Sequence, residues 1–380
     1  MTNYFLFEEC QKCYQPRLVP HFDPEKVFLA KGADRSSYCD NLVEAIGKVY
    51  PQAQIIQKYD LPHNKIELSS ENFVERHFSG KRTLVLGIHK SAVRYSDEEK
   101  NTCPNYWHFS CYSFCPYDCQ YCYLAGTPGV KYSPYVKIFL NLDEILDRIS
   151  RIASKVDKPI SFYSGKLQDG LALDPLTGCS RIVVPFFANQ KNARQIILTK
   201  SAEVSNLLDI EHGGHTHLSW SLNPEAVCSQ FERNTPTVQQ RIEAMRQCDK
   251  AGYPLRAVIM PVIPITGWQK IYHDFLISLL DKVRLERVTF GQICSFTSAK
   301  YLMEQKLGGN NSISSRLNGK QSKDGRYRFP IDMRINVYRF LIDVIKSRRP
   351  DLEIGLCLEE NEVFESLGMT DMIGRCNCVL

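Results

Sequence analysis

Several things are missing from this chain of 380 residues, and each absence excludes a class of protein. No apolar run reaches membrane-spanning length, so an α-helical membrane protein is excluded. The opening stretch MTNYFLFEECQKCYQPR has no basic segment followed by a clean apolar one, so we expect no signal peptide and a cytoplasmic setting. The terminal CNCVL sets Cys378 third from the end, where prenylation needs a cysteine fourth, so we expect no such anchor. A net charge of +5 is far from that of a histone-like binder and only hints at an anionic partner. There is no internal repeat and no low-complexity tract. With 43% hydrophobic and 23% charged residues, the composition is that of a globular protein with room for one barrel-sized domain and additions.

What the chain has in quantity is cysteine, fifteen in all. In a reducing compartment that number favours metal or redox chemistry over disulfides. About half should be small buried hydrophobes, among them Cys39, Cys228 and Cys248. Residues 1–100 read as irregular, with RTLVLGI (82–88) a strand. From residue 141 the pattern becomes regular. Leu142, Ile145, Leu146, Ile149, Ile152 and Ala153 recur three and four apart, which predicts a helix, with Asn141 able to cap it. Strands are expected at 159–164, 195–199, 217–222, 255–260 and 287–293, with helices at 181–190, 202–210, 268–283 and 297–307. A further helix should use Thr235 as N-cap and Gly252 as its stop. In HLSWSL, His217, Ser219 and Ser221 share one face and Leu218, Trp220 and Leu222 the other.

Counting a first strand just before the cysteine-rich loop, this is a series of six βα units. A doubly wound sheet also fits. Polar residues recur at the strand C-termini, so we expect an α/β fold of partial (β/α)6 barrel type, with N- and C-terminal additions. The expected divisions are an extension packing on the barrel at 1–100, the barrel at 101–307, and a C-terminal region at 308–380 with a basic β-hairpin and a cysteine-containing tail.

CYSFCPYDCQYCYL (111–124) contains Cys115, Cys119 and Cys122 as C-x3-C-x2-C. Three thiolates on one short loop can hold three irons of a cubane and leave the fourth open, where full protein ligation would take four. Zinc would more often use two separated pairs, and it remains an alternative, as does chance clustering.

C-x3-C-x2-C followed by an aromatic residue resembles the radical S-adenosylmethionine superfamily. With CQYCYLAGTPG, LTK, HLSWSLNP, FERNTPTVQQRIEAMRQCDKAGYPL, VTFGQICSFTSAK and GKRTLVLGIHKS in this order, the chain resembles the spore photoproduct lyase family over roughly 75–330. The resemblance implies a TIM-like partial barrel, a [4Fe-4S] cluster and S-adenosyl-L-methionine (SAM). It implies a lyase whose 5′-deoxyadenosyl radical abstracts hydrogen from a thymine photoproduct in ultraviolet-damaged DNA and reverses the cross-link. Matched position by position, Cys115, Cys119 and Cys122 hold the cluster. Tyr121 and Tyr123 relay a radical. Ser164, Gly165, Asp169, Lys200, Ser221 and Asn223 lie at the cofactor. Arg326 and Tyr327 stand at a hairpin tip that enters DNA. A reducing partner such as flavodoxin or ferredoxin, no membrane and a monomeric state complete the expectation.

The sequence departs from the family where a hydrogen-donating cysteine opens C-T-S-D, since Lys166-Leu167-Gln168-Asp169 stands there. Lysine cannot donate a hydrogen atom as a thiol does. Ser164-Gly165-Lys166 replaces the superfamily's Gly-Gly-Glu. Cys294, at the end of the sixth strand, is the first substitute donor, with Cys376 and Cys378 in the tail as others. Cys10, Cys13, Cys376 and Cys378 could also hold zinc or a second cluster if the chain ends meet. The alternatives are a radical enzyme of the same lineage acting on RNA, a peptide or a metabolite, and a non-enzymatic zinc protein that binds nucleic acid.

Overall fold

In the computed structural model, residues 14–68, 70, 72–96 and 101–380 are described. Cys10 and Cys13 lie outside them, so their pairing with the tail is not addressed. Among the described residues no helix is long and apolar enough to cross a membrane.

The main sheet is a partial barrel. Tyr106–Phe109, Ile160–Ser164, Ala193–Thr199, Thr216–Ser221, Leu255–Val262, Arg287–Gln292 and Glu353–Leu356 run parallel in that spatial order, each paired with its successor. Val93–Ser96 closes one edge antiparallel to Tyr106–Phe109, and the two edges do not pair with each other. Sequential parallel neighbours require crossovers on one side, so helices such as Leu142–Ala153, Ser180–Ala188, Val238–Lys250 and Trp268–Lys282 cover the outside. The expected partial barrel is therefore the fold, with Glu353–Leu356 supplying a seventh parallel strand.

HLSWSL alternates as expected. Leu218, Trp220 and Leu222 are fully buried with the helical layer's side chains. Ser219 and Ser221 face the lumen and bond Asn377 and Lys200. Each buried aliphatic side chain contributes about 1.5–3 kcal/mol. Cys39, Cys228 and Cys248 are buried, as expected of small hydrophobes.

Four local expectations are corrected. The N-terminal part holds regular structure among its described residues: Lys26–Ala30, Gln54–Lys58 and Thr83–Gly87 pair in parallel and continue to Val136–Phe139. RTLVLGI thus belongs to this second sheet, and Tyr106–Phe109 opens the barrel. Residues 202–210 form turns rather than a helix. Just before it Ser201 O accepts from Trp220 Nε1 (2.9 Å), and within it Leu207 O accepts from Tyr253 OH (2.9 Å), so tertiary donors hold these carbonyls. The N-cap of the 238–250 helix is Thr237, not Thr235, because Thr237 and Gln240 form a reciprocal capping box. Gly252, at φ +86°, does follow the helix end. Finally, no tight basic hairpin forms after residue 308. Tyr327–Arg328 instead pairs antiparallel with the distant Cys294–Ser295.

Candidate active site

The cysteine loop is tied down on three sides before any metal is considered. Its entry is stitched to the loop after Ile160–Ser164: Tyr112 N donates to Gln168 Oε1 (2.7 Å) and Phe114 N to Leu167 O (2.8 Å). Its middle, Asp118–Cys119, pairs antiparallel with Glu232–Arg233, and Gln120 N donates to Phe231 O (2.8 Å). From the outside, Lys81 Nζ donates to Cys115 O (2.6 Å) and Tyr117 O (2.5 Å) over the Phe114 ring, while Lys306 pairs with Asp118. Gly126 lies so close to the segment after Arg287–Gln292 that a Cβ there would meet Phe296 Cβ at 2.6 Å.

Burial pushes the Cys115 and Cys119 thiols up. For Cys115, Lys81 opposes the shift, and Asp169, Cys119 and Cys122 add to it. Burial also pushes Cys119 up to about 12, with Lys200 opposing. Metal binding must therefore displace protons here, and the ammonium groups of Lys81 and Lys200 stand ready to balance the thiolates. Among the described residues, no three His, Cys, Asp or Glu side chains converge on a point that one ion could fill. Three neighbouring thiols on one short loop are the donor set that three corners of a cubane require.

Beside the loop, the C-terminal ends of the strands gather a charged group. Asp169 is buried and accepts from Leu171 N (3.1 Å), Ala172 N (2.9 Å), Thr199 Oγ1 (2.6 Å) and Lys200 N (2.7 Å). Burial still raises its pKa against these bonds. Asp169 thereby locks the ends of two strands together. Lys200 Nζ donates to Ser221 Oγ (2.7 Å) and Glu232 Oε1 (3.1 Å). Glu232 also accepts from Tyr121 OH and from Asn223 Nδ2 (3.4 Å), and it pairs with Arg241 at 2.6 Å. Burial opposes the charge on Glu232, yet Lys200 and Arg241 hold its carboxyl well below the usual range. Tyr272 OH donates to Asn223 Oδ1 (3.0 Å) and fixes that amide.

Asp169, Lys200, Ser221, Asn223 and Tyr121 are thus brought together around Glu232. Ser164 accepts from Gln168 Nε2 (3.0 Å), and Gly165 packs against Leu198 and Tyr163. Lys166 bonds Ser96 Oγ and lies 5.4 Å from the Tyr106 ring centroid. Tyr123 sits apart from Tyr121, in the surroundings of Cys294, Cys357 and Arg326, where burial raises its pKa. Cys294 is buried in the ladder with Arg328. Arg326 and Tyr327 do not stand at an exposed tip. Arg326 is buried, donates to Asp324 Oδ2 (2.6 Å) and lies over Phe296, because Asp324 draws both Arg326 and Arg328 inward. Next to them a cleft of about 580 Å³ is lined by Phe73, Lys131, Phe296, Thr297, Ser298 and Tyr301.

Sequence reasoning missed Glu232, Arg241 and Lys81. One signal was available for Arg241. It occupies the same helical stripe as Val238, Ile242 and Met245, and a charge on a buried stripe needs a partner. Nothing local marked Lys81.

The family model described as "Spore photoproduct lyase" matches residues 22–335. A spore photoproduct lyase of Clostridium acetobutylicum is 28% identical over 257 residues, covering 66% of this chain and 74% of that one. One from a Geobacillus species is 27% identical over 302 residues, covering 78% and 83%. Among solved structures, a spore photoproduct lyase complexed with dinucleoside spore photoproduct superposes with a TM-score of 0.76 at 22% identity, over 88% of this chain and 99% of that chain. A mutant of such an enzyme with bound AdoMet and dinucleoside spore photoproduct also matches with a TM-score of 0.76, at 22% identity. With its family model spanning most of the barrel and its fold shared with those enzymes, this chain belongs to the spore photoproduct lyase family, within the radical SAM superfamily.

Proposed function

We propose that this protein is a radical SAM lyase that reverses a thymine photoproduct in DNA. The observation that carries this is the convergence of the Cys115, Cys119 and Cys122 loop with Asp169, Lys200, Ser221 and Glu232 at one end of the barrel. A four-iron cluster on those thiols would cleave SAM reductively and supply a 5′-deoxyadenosyl radical.

The chain's own residues position and shield. Lys200 and Ser221 offer an ammonium and a hydroxyl to the polar groups of SAM, while Asp169 keeps their strand ends in register. Asn223 is held by Tyr272 at the same rim. Tyr121 is anchored to Glu232 and serves as packing against the cluster loop, which leaves Tyr123, near two thiols, as the phenol placed for radical transfer. Lys166 has replaced the family's thiol, so hydrogen must return from another: Cys294 and Cys357 share the surroundings of Tyr123. The cleft with Lys131, Phe73 and Tyr301 offers a cation for phosphate and aromatic faces for unstacked bases. Arg326 and Tyr327 border it and would meet the DNA only after Arg326 leaves Asp324. A flavodoxin- or ferredoxin-type donor, action as a monomer and a cytoplasmic setting belong to the same proposal.

The test is to reconstitute the protein without oxygen, reduce it, and add SAM with ultraviolet-irradiated oligonucleotide. Deoxyadenosine release coupled to dimer loss is expected, with binding that weakens as salt rises. Deoxyadenosine release without dimer loss would move the substrate elsewhere. Lys166 in place of the thiol favours that second reading, a related radical enzyme acting on RNA, a peptide or a metabolite.

A further inference from the structure

Tyr132 is 78% exposed, more than any other large hydrophobic side chain among the described residues. It ends the short helix Pro128–Tyr132, which follows the cysteine loop by way of the turn Tyr123–Gly126. The backbone beneath the ring is firmly held. Thr127 Oγ1 donates to Leu124 O (2.7 Å), and Val130 N and Lys131 N donate to Thr127 O (3.1 and 2.8 Å). Ser133 Oγ donates to Gly129 O (3.0 Å), and the buried Lys137 Nζ donates to Ser133 O (3.2 Å) and Oγ (2.8 Å). Val130 is buried as well. A lone exposed ring is ordinary. This one stands on a turn fixed from below, so ordering it against a partner costs little.

The turn lies beside the radical end of the barrel. A Cβ on Gly129 would lie 3.9 Å from Leu167 Cδ1, and Leu167 O accepts from Phe114 N of the cysteine loop (2.8 Å). Lys131, next to the ring, lines the cleft of about 580 Å³ together with Phe296, Thr297, Ser298 and Tyr301. Its Nζ is 5.9 Å from the Tyr132 ring centroid, so cation and ring are presented together. Among the described residues that line the cleft, none is acidic. An ammonium and hydroxyls without a carboxylate complement a phosphate backbone.

The facing wall is locked. Asp324 pairs with Arg326 and Arg328 at 2.6 Å each, and Arg328 donates to Leu358 O (3.1 and 2.9 Å). Tyr327 is laddered to Ser295, with Lys300 Nζ 5.2 Å from its ring centroid. The pair that the resemblance sets at a DNA-entering tip is thus held in the wall of the cleft. The ring that projects is Tyr132.

We propose that Tyr132 is the wedge of this enzyme: its ring enters duplex DNA at the lesion and stacks where the extruded bases were, while Lys131 holds the adjoining phosphate. This rests on the lyase reading above. Extruding a base pays for unstacking and unpairing. A ring left in the gap offsets that cost, and stacking of this kind is worth roughly five- to 150-fold in binding.

The test gives reconstituted enzyme two substrates. One is dinucleoside spore photoproduct, which has no duplex to open. The other is a duplex oligonucleotide with one spore photoproduct. Tyr132→Ala should lower kcat/KM on the duplex at least five-fold and change it less than two-fold on the dinucleoside. Tyr132→Phe keeps the ring and should stay within two-fold of the unmutated protein on both. Lys131→Met should weaken duplex binding and reduce the slope of log K against log salt by about one. A second readout needs no turnover. Enzyme without SAM is added to the same duplex with 2-aminopurine beside the lesion, and its fluorescence rises on unstacking. Tyr132→Ala should remove at least half of that rise. Equal behaviour of Tyr132→Ala and unmutated protein on the duplex would overturn the wedge. So would an equal loss on both substrates, which marks a folding or radical-site role. Tighter Tyr132-dependent binding to single-stranded RNA of the same sequence would overturn the choice of duplex DNA. If no sample repairs either substrate, the lyase reading fails, and the fluorescence alone then decides the wedge.

Discussion

Replacing Glu232 by Gln should loosen the cysteine loop more than any surface change. The Glu232 and Arg241 side chains are fully buried, and Lys200 is nearly so. One carboxylate serves both cations and accepts the Tyr121 hydroxyl. Removing its charge leaves two cations facing a neutral amide, the situation in which breaking a buried pair costs about 3–5 kcal/mol. Unfolding entropy scaled to 380 residues is about 0.8 kcal/mol per kelvin, so the melting temperature should fall by about 4–6 °C. Because Glu232 pairs through its backbone with Cys119, iron retained per chain after reconstitution should fall as well. The assay is thermal unfolding of metal-free protein alongside iron and sulfide analysis of reconstituted protein. The double variant Glu232→Gln with Arg241→Met should recover part of the loss, because one stranded cation is gone. A shift below about 1 °C together with undiminished iron would refute the claim that this pair holds the loop.

Gly170→Ala should destabilise by about 1–3 kcal/mol, read by thermal unfolding, because an added Cβ would lie 2.5 Å from Ile197 Cγ2 and 2.8 Å from Ser164 O. Lys81→Met keeps an aliphatic stem on Phe114 but uncaps the carbonyls of Cys115 and Tyr117, so iron content after desalting should drop while the melting temperature moves little. His63 packs edge-on and His89 tilted against Phe139, and burial first, then neighbouring charge, lowers them to about 3 and about 4. Both pKa values are depressed, so their contribution is complete above the unfolded value near 6.5 and is lost as pH falls towards the folded values. Between pH 7 and pH 5 the loss should be about 2–4 kcal/mol for the pair after allowance for partial exposure. His89→Phe should flatten that acid limb in a plot of melting temperature against pH.

Local pattern alone determined a good deal. The alternation in HLSWSL, the i, i+3, i+4 spacing from Leu142 to Ala153 and the stop at Gly252 are short-range features, and they gave the barrel's βα series. C-x3-C-x2-C put three thiols on one loop without reference to anything distant. Tertiary structure decided the rest, for identifiable reasons. Residues 202–210 look helical by composition, but Trp220 takes the carbonyl of Ser201 just before them and Tyr253 that of Leu207 within them. Arg326 looks like an exposed basic residue until Asp324 draws it inward. Glu232, Arg241 and Lys81 come to the cysteine loop from separate parts of the chain, and no spacing rule spans such distances. The place of the tail could not be read from sequence at all, since it is held only where lumen-facing arginines and serines of remote barrel strands meet its backbone.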